Sequence, residues 1–183
     1  MKLFIILFFS VIISKSFGQT YSNLISDKEI EELILLDIKI SEKYEEEPKF
    51  GRKKVSNEII SLDLVIKTLE FTFIDFGFDF REEQKQFGYL FQKESFEYYK
   101  EQAKNQIKNS WNLKSNEAKA KFKNEFSNNY YNYSIPLFNK EKDIAIIYKT
   151  LFCGDLCGHG AIEIYKKSDD KWIYQTTISL WIS

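Results

Sequence analysis

The only histidine of this chain, both of its cysteines and three of its seven glycines fall within FCGDLCGHGAIEIYKK, Phe152 to Lys167. Four chemistries are open to such a cluster. Cys153 and Cys157 stand four apart, and in a loop that doubles back their Cα atoms can reach the roughly 4.4–6.8 Å window of a disulfide. Thiol–disulfide exchange would need a thiolate stabilised by a cation or a helix N-terminus, usually with two residues between the cysteines. Here three intervene, and Asp155 supplies the wrong charge. A metal could recruit Cys153, Cys157 and His159, as in copper carriers with a Cys-x3-Cys motif. Structural zinc would want a fourth ligand, and the chain has no further cysteine or histidine. A cysteine–histidine hydrolase pairing Cys157 with His159 lacks an evident orienting group.

The compartment bears on the choice. The opening MKLFIILFFSVIISKSFGQT reads as an export leader: Lys2 at the front, an apolar core from Leu3 to Ile13, and small residues at Ser16 and Gly18. Its apolar run falls short of the roughly 20 residues a bilayer-spanning helix requires. Cleavage is expected between Gly18 and Gln19, giving a signal peptide over 1–18 and one α+β domain over 19–183. The residue directly after that point is Gln19 and not a cysteine, which argues against bacterial lipid attachment. Outside the cytoplasm a pair of thiols is usually oxidised, so the reading for Cys153 and Cys157 is a structural disulfide. Closing so small a ring would stabilise by about 2 kcal/mol through chain entropy.

Removing the leader takes away Lys2 and Lys15, leaving 24 basic against 27 acidic residues. That balance excludes a nucleic-acid binder, which would show a basic excess. No catalytic residue or cofactor site is assigned elsewhere: there is no phosphate-cradling glycine loop, paired histidines on a helix or serine in a nucleophile-elbow context. His159, alone beside glycine, reads as a polar residue that tolerates a turn, with recognition as its other use.

The elements that would position the cluster follow from periodicity. ISDKEI signals a helix start, with Ser26 as cap, Glu29 returning the bond, and Ile25 and Ile30 as a staple. The run after it places Ile30, Leu33, Leu36, Ile40 and Tyr44 on one side, with Leu35 and Ile38 widening the stripe. From Ser56 the spacing predicts a helix that gives way to a strand near Thr68. In FIDFGFDF the phenylalanines are expected to fill the core around a turn at Gly77. Phe96, Tyr99, Ala103, Ile107 and Trp111 predict an amphipathic helix, and a shorter one is expected over about Asn116 to Phe126.

Beyond SNN the period becomes two. YYNYSIPLF, DIAIIYKTLF, AIEIYKK and WIYQTTISLWIS read as strands joined by short connections, an antiparallel meander. CGDLCGHG then becomes a hairpin loop, with Gly154, Gly158 and Gly160 available for positive φ. The fold class expected is α+β, N-terminal helices followed by a C-terminal antiparallel β-meander with a disulfide-pinned hairpin loop.

The stretch from IPLF to the final LWIS resembles the C-terminal half of a group of uncharacterised exported bacterial proteins. Its pattern is matched by Pro136 and Phe138, then Cys153, Gly154, Leu156, Cys157, Gly158 and Gly160 as C-G-x-L-C-G-x-G, then Lys171, Trp172, Trp181 and Ser183. The resemblance implies export and a sheet-borne motif, and supplies no catalytic residues. His159 occupies a position that varies in that group.

Taken together, the residues point to an exported, non-enzymatic binding module of the periplasm or extracellular space. Its partner would be an envelope or extracellular ligand or protein, with no nucleic acid and no stable membrane insertion after cleavage. The alternative is a periplasmic thiol–disulfide or copper-handling protein using Cys153, Cys157 and His159. A second alternative is a small α+β enzyme with a phenylalanine-lined pocket, as in folds resembling nuclear transport factor 2.

Overall fold

The computed structural model describes residues 21–44, 54–106, 108–123, 130–154 and 157–182, leaving aside the side chains of Tyr44, Ala118 and Lys123. The leader with Gly18 and Gln19, and the expected positions of Pro48, Gly51, Ile107, Phe126, Asp155, Leu156 and Ser183, lie outside the described residues. Helix α1 runs Asp27–Tyr44. It starts where expected because Ser26 Oγ accepts the Glu29 N–H at 3.2 Å, satisfying one of the orphan donors of the first turn. The Glu29 carboxylate is directed to the sheet, where Oε1 accepts from Lys167 Nζ at 2.7 Å and Trp172 Nε1 at 3.1 Å.

Next comes strand β1, Lys54–Ile60, and then helix α2, Leu62–Glu70. The order is the reverse of the one expected from Ser56 onward. Val55, Ile59 and Ile60 are buried in the sheet, and the helical spacing belongs to Leu62, Val65, Ile66 and Leu69. Ser61, five residues after Ser56, precedes the helix. A π-helical turn, Phe71–Asp75, extends α2. Its i→i+5 bonding, Phe76 N to Phe71 O at 2.9 Å, puts more residues in the turn and so rotates the aromatic run relative to the preceding face, and the backbone then reverses at Gly77 with φ +69°.

That rotation divides the phenylalanines. Phe73 stacks on Phe91 at 4.0 Å between ring centroids and touches Phe78 and Phe80 at 5.0 and 5.3 Å. These rings pack against the core as expected, whereas Phe76 is 80 % exposed.

A short helix α3, Glu82–Lys85, a 3₁₀ turn, Gly88–Phe91, and helix α4, Lys93–Lys104, follow. Phe96 and Tyr99 form the buried stripe of α4. Trp111 does not continue it. The helix is closed at Asn105, and the chain then runs along β1, where Trp111 N donates to Asn57 O and Ile59 N to Asn109 O, both at 2.9 Å. Helix α5, Asn116–Lys121, is shorter than expected because Phe122–Lys123 become strand β2.

Strands β3, Tyr130–Ser134, β4, Leu137–Phe138, β5, Ile144–Phe152, β6, Gly158–Ser168, and β7, Lys171–Ile182, complete the chain. The sheet has seven strands in the order β2-β1-β3-β5-β6-β7, with β4 on β5. The meander is antiparallel, while β1 pairs parallel with both β2 and β3. The architecture is α+β with an antiparallel C-terminal meander, as the period change predicts. The parallel addition of β1 is what single-strand patterns could not specify.

The β6–β7 turn places Asp169 and Asp170 at φ 49° and 58°, the conformation that matches a two-residue hairpin to strand twist. In β5, Ile144 to Tyr148 are buried without interruption and Lys149 with them. Both faces of the sheet are therefore covered along its middle. Tyr133, Lys149 and Tyr165 turn toward α1. Ile146, Ile164, Ile162 and Tyr148 alternate on the opposite side. No helix among the described residues is long and apolar enough to cross a membrane.

Candidate functional site

The cysteine loop is set by the strands beside it. Phe152 pairs with Gly158 at the last rung of β5–β6, and Cys153 N donates to Cys157 O at 3.0 Å just beyond it. Gly154, at φ +114°, makes the reversal that a side chain would resist. This brings the two Cα atoms to 5.0 Å, and Cys153 and Cys157 are joined by a disulfide. Gly158 and Gly160 serve otherwise than expected, since both lie within β6. At Gly160 the Trp181 indole occupies the space a Cβ would need, and its Nε1 reaches Tyr148 OH at 3.3 Å.

His159, also in β6, pairs with Leu151 and Ile182, and its Nε2 lies 3.3 Å from Ser179 Oγ. The sulfurs are thus committed to each other and the imidazole is engaged by β7. Among the described residues, no group of three or more histidine, cysteine, aspartate or glutamate side chains is placed to hold a metal ion.

A second polar cluster lies between α1 and the sheet, and the sequence reading missed it. Asp37 is fully buried. Its Oδ1 accepts from Tyr165 OH at 2.6 Å, and its Oδ2 from Tyr133 OH at 2.9 Å and Lys149 Nζ at 3.2 Å. Lys149 Nζ also meets Glu163 Oε1 at 2.7 Å and donates to Ser41 Oγ at 2.9 Å. Thr177 Oγ1 donates its hydrogen to Glu163 Oε2 at 2.5 Å and accepts from Tyr174 OH at 2.7 Å. Five elements converge here: α1, β3, β5, β6 and β7.

Two carboxylates share one ammonium in a buried cluster, and the protonation preferences follow. Burial pushes the Glu163 carboxyl above the usual glutamate value; the Lys149 charge opposes this and the Asp37 charge adds to it. Burial alone would lower the Lys149 ammonium, but Asp37 and Glu163 reverse that and hold it above the ordinary lysine value. Burial, then the Asp37 charge, raises the phenols of Tyr133 and Tyr165. Each carboxylate oxygen of Asp37 and Glu163 is filled by a donor from another element. The cluster acts as an ionic tie, because no charge in it is left facing an incoming reactant.

The signal for it was present in part. Asp37 falls on the buried side of α1, four residues before Ser41 and three after Ile34. Lys149 shares a strand face with Ala145 and Ile147, and Glu163 interrupts an apolar run between Ile162 and Ile164. Each of these reads as a solvent-facing charge unless the second sheet face is known to be covered.

The third feature is open. A cleft of about 420 Å³ lies between the 3₁₀ turn, the first half of α4 and the β4–β5 turn. Tyr89, Tyr98 and Tyr99 line it, with Glu94, Glu141 and Asp143 as carboxylates and Lys140 as the cation. Asn139 fixes the turn: its Oδ1 accepts the Ile144 N–H at 2.9 Å and the Asp143 N–H at 3.1 Å. Its Nδ2 donates to Asp143 Oδ1 at 2.6 Å and Glu141 Oε2 at 3.0 Å. The Tyr89 phenol is raised by burial and then by the Asp143 and Glu141 charges. A similar recess beside α1 is occupied by its own pairs, Glu29 with Lys167 and Trp172.

Comparison with protein-family models, curated proteins and solved structures returns no match for this chain.

Proposed function

We propose that the protein is an exported, non-enzymatic binding module. The supporting observation is how its reactive groups are spent. The sulfurs of Cys153 and Cys157 are bonded to each other, Asp37, Lys149 and Glu163 satisfy one another in the interior, and a tyrosine-lined cleft stays open. Binding needs such a preformed concavity with a few fixed polar groups. The leader-like start and the resemblance to exported proteins carrying the C-G-x-L-C-G-x-G loop support export. An oxidised pair of cysteines is the expected state in that compartment.

A pull-down from envelope extract tests the reading, using wild type, a Cys153→Ser/Cys157→Ser variant and a size-matched control protein. A component retained by the wild type and not by the control is expected. Turnover of an extract component, with nothing retained, would overturn the proposal. The thiol–disulfide alternative has one observation in its favour, the exposure of Cys157. A reduction potential above about −300 mV would support exchange, and one below it a structural bond.

A further inference from the structure

The open cleft has a definite chemical character. Its carboxylates outnumber its lysine three to one, and three tyrosines are among its lining residues. Two of those carboxylates are not left to repel each other freely. Asn139 donates one amide hydrogen to each, so they are held side by side before anything binds. Each carboxylate retains acceptor capacity beyond the single bond Asn139 supplies. The turn that carries them is locked from behind by Lys167 N, which donates to Asp143 O at 2.7 Å. On the opposite wall, Tyr99 OH is committed to Leu90 O at 3.0 Å and Ser95 Oγ to Tyr89 O at 2.9 Å, which fix the 3₁₀ turn against α4.

Aromatic walls attract cations through the ring quadrupole, and alkyl groups through burial. A bare metal ion would use only the carboxylates. A neutral ligand would leave the fixed negative charge uncompensated. The ligand that uses both walls is an ammonium carried on a short alkyl stem. Resting on the binding-module reading above, we infer that the cleft formed by Tyr89, Tyr98, Glu94, Glu141 and Asp143 is a binding site for small aliphatic ammonium ions. The Glu141 and Asp143 carboxylates receive the ammonium, and the tyrosines cover the stem. A volume of about 420 Å³ lies within the common range for small-ligand sites, roughly 300–1,000 Å³. Lys140, on the same rim, competes as the cleft's own ammonium.

The test is a calorimetric titration of the full chain with 1,4-diaminobutane at low salt. Butane-1,4-diol serves as the neutral match and calcium chloride as the inorganic cation. Saturable one-site binding of the diamine alone is expected. Glu141→Gln/Asp143→Asn should weaken it about tenfold, two exposed ion pairs being removed, and Tyr89→Leu about threefold. Lys140→Met should tighten it about twofold. Both Gln and Asn keep an oxygen for the Asn139 amide, so the turn should hold. If the double variant does not fold, Glu94→Gln on the exposed first turn of α4 gives an independent reading, with about a twofold loss expected.

The inference is overturned by equal binding of the diol, by calcium binding as tight as the diamine, by no binding of the diamine, or by unchanged affinity in the carboxylate variant. Its failure is separable from that of the broader reading. A component still captured from extract by a chain that ignores the diamine leaves the binding module intact and removes only this assignment.

Discussion

The Cys153–Cys157 loop and the Asp37 cluster are both closed arrangements of chemically capable groups, but they close at opposite ranges. The loop joins residues four apart in sequence, at the tip of a hairpin, and constrains little beyond its own backbone. The Asp37 cluster joins residues 96 to 128 positions apart and locks α1 onto four strands. Rare residue types advertise the first, and common ones conceal the second. Conspicuous residues therefore mark the local fastening, while the fold is tied at a place composed of aspartate, lysine, glutamate and tyrosine.

The largest effect that would break this comparison is at Asp37. Asp37→Asn removes the countercharge of Lys149 and the charged acceptor of two phenols, and should cost about 3–5 kcal/mol in urea unfolding. A loss no greater than that of the disulfide variant would refute the central tie. Cys153→Ser/Cys157→Ser should cost about 2 kcal/mol, with amide exchange at positions 153, 154 and 157 rising beyond what that loss explains and the middle of β5 rising only by it. Exchange accelerated across the whole sheet as much as at the loop would show that the loop reaches further than its geometry implies.

Glu163 sharpens the contrast through pH. Its folded-state value is raised above the usual 4.5, so the stability it contributes is fully present below that pH. This contribution is lost as the pH climbs through the folded value. Wild type should therefore lose stability relative to Glu163→Gln between about pH 4.5 and neutrality, and the variant's profile should be flatter. At pH 7 the two should differ by under about 1 kcal/mol, since the amide oxygen can still accept from Lys149 and its NH2 can donate to Thr177 Oγ1. Parallel profiles would show that Glu163 is not the strained member. The smallest effect is expected at His159: His159→Ala should change stability by under about 0.5 kcal/mol and leave the disulfide formed.

Much of the framework follows from local pattern. Ser26 with Glu29 marks the start of α1, the period of two marks β5 to β7, and the Asp169-Asp170 pair marks their tight turn. The segment from Ser56 to Asp75 reads in the wrong order because its apolar residues fit both periods over a few residues. Only the parallel partners β2 and β3 make a strand of Lys54–Ile60. Trp111 fits the spacing of α4 yet belongs to the segment alongside β1, where backbone donors of the sheet outcompete the last helical turn. In the loop, the spacing of Cys153 and Cys157 allowed the bond, and the export reading was needed to choose it among four chemistries. The role of Gly160 was not legible, because Trp181, which fills the missing side chain's place, lies on another strand.

The sequence by itself determined the α+β class, the antiparallel meander and the cysteine clasp, because each depends on residues within a turn or a hairpin of one another. Tertiary structure alone decided which charges are buried, which glycine admits an indole, and which tyrosines share a cleft with Glu94, Glu141 and Asp143. Those outcomes depend on covering the second face of the sheet. No period along a single strand records whether a helix will lie across it.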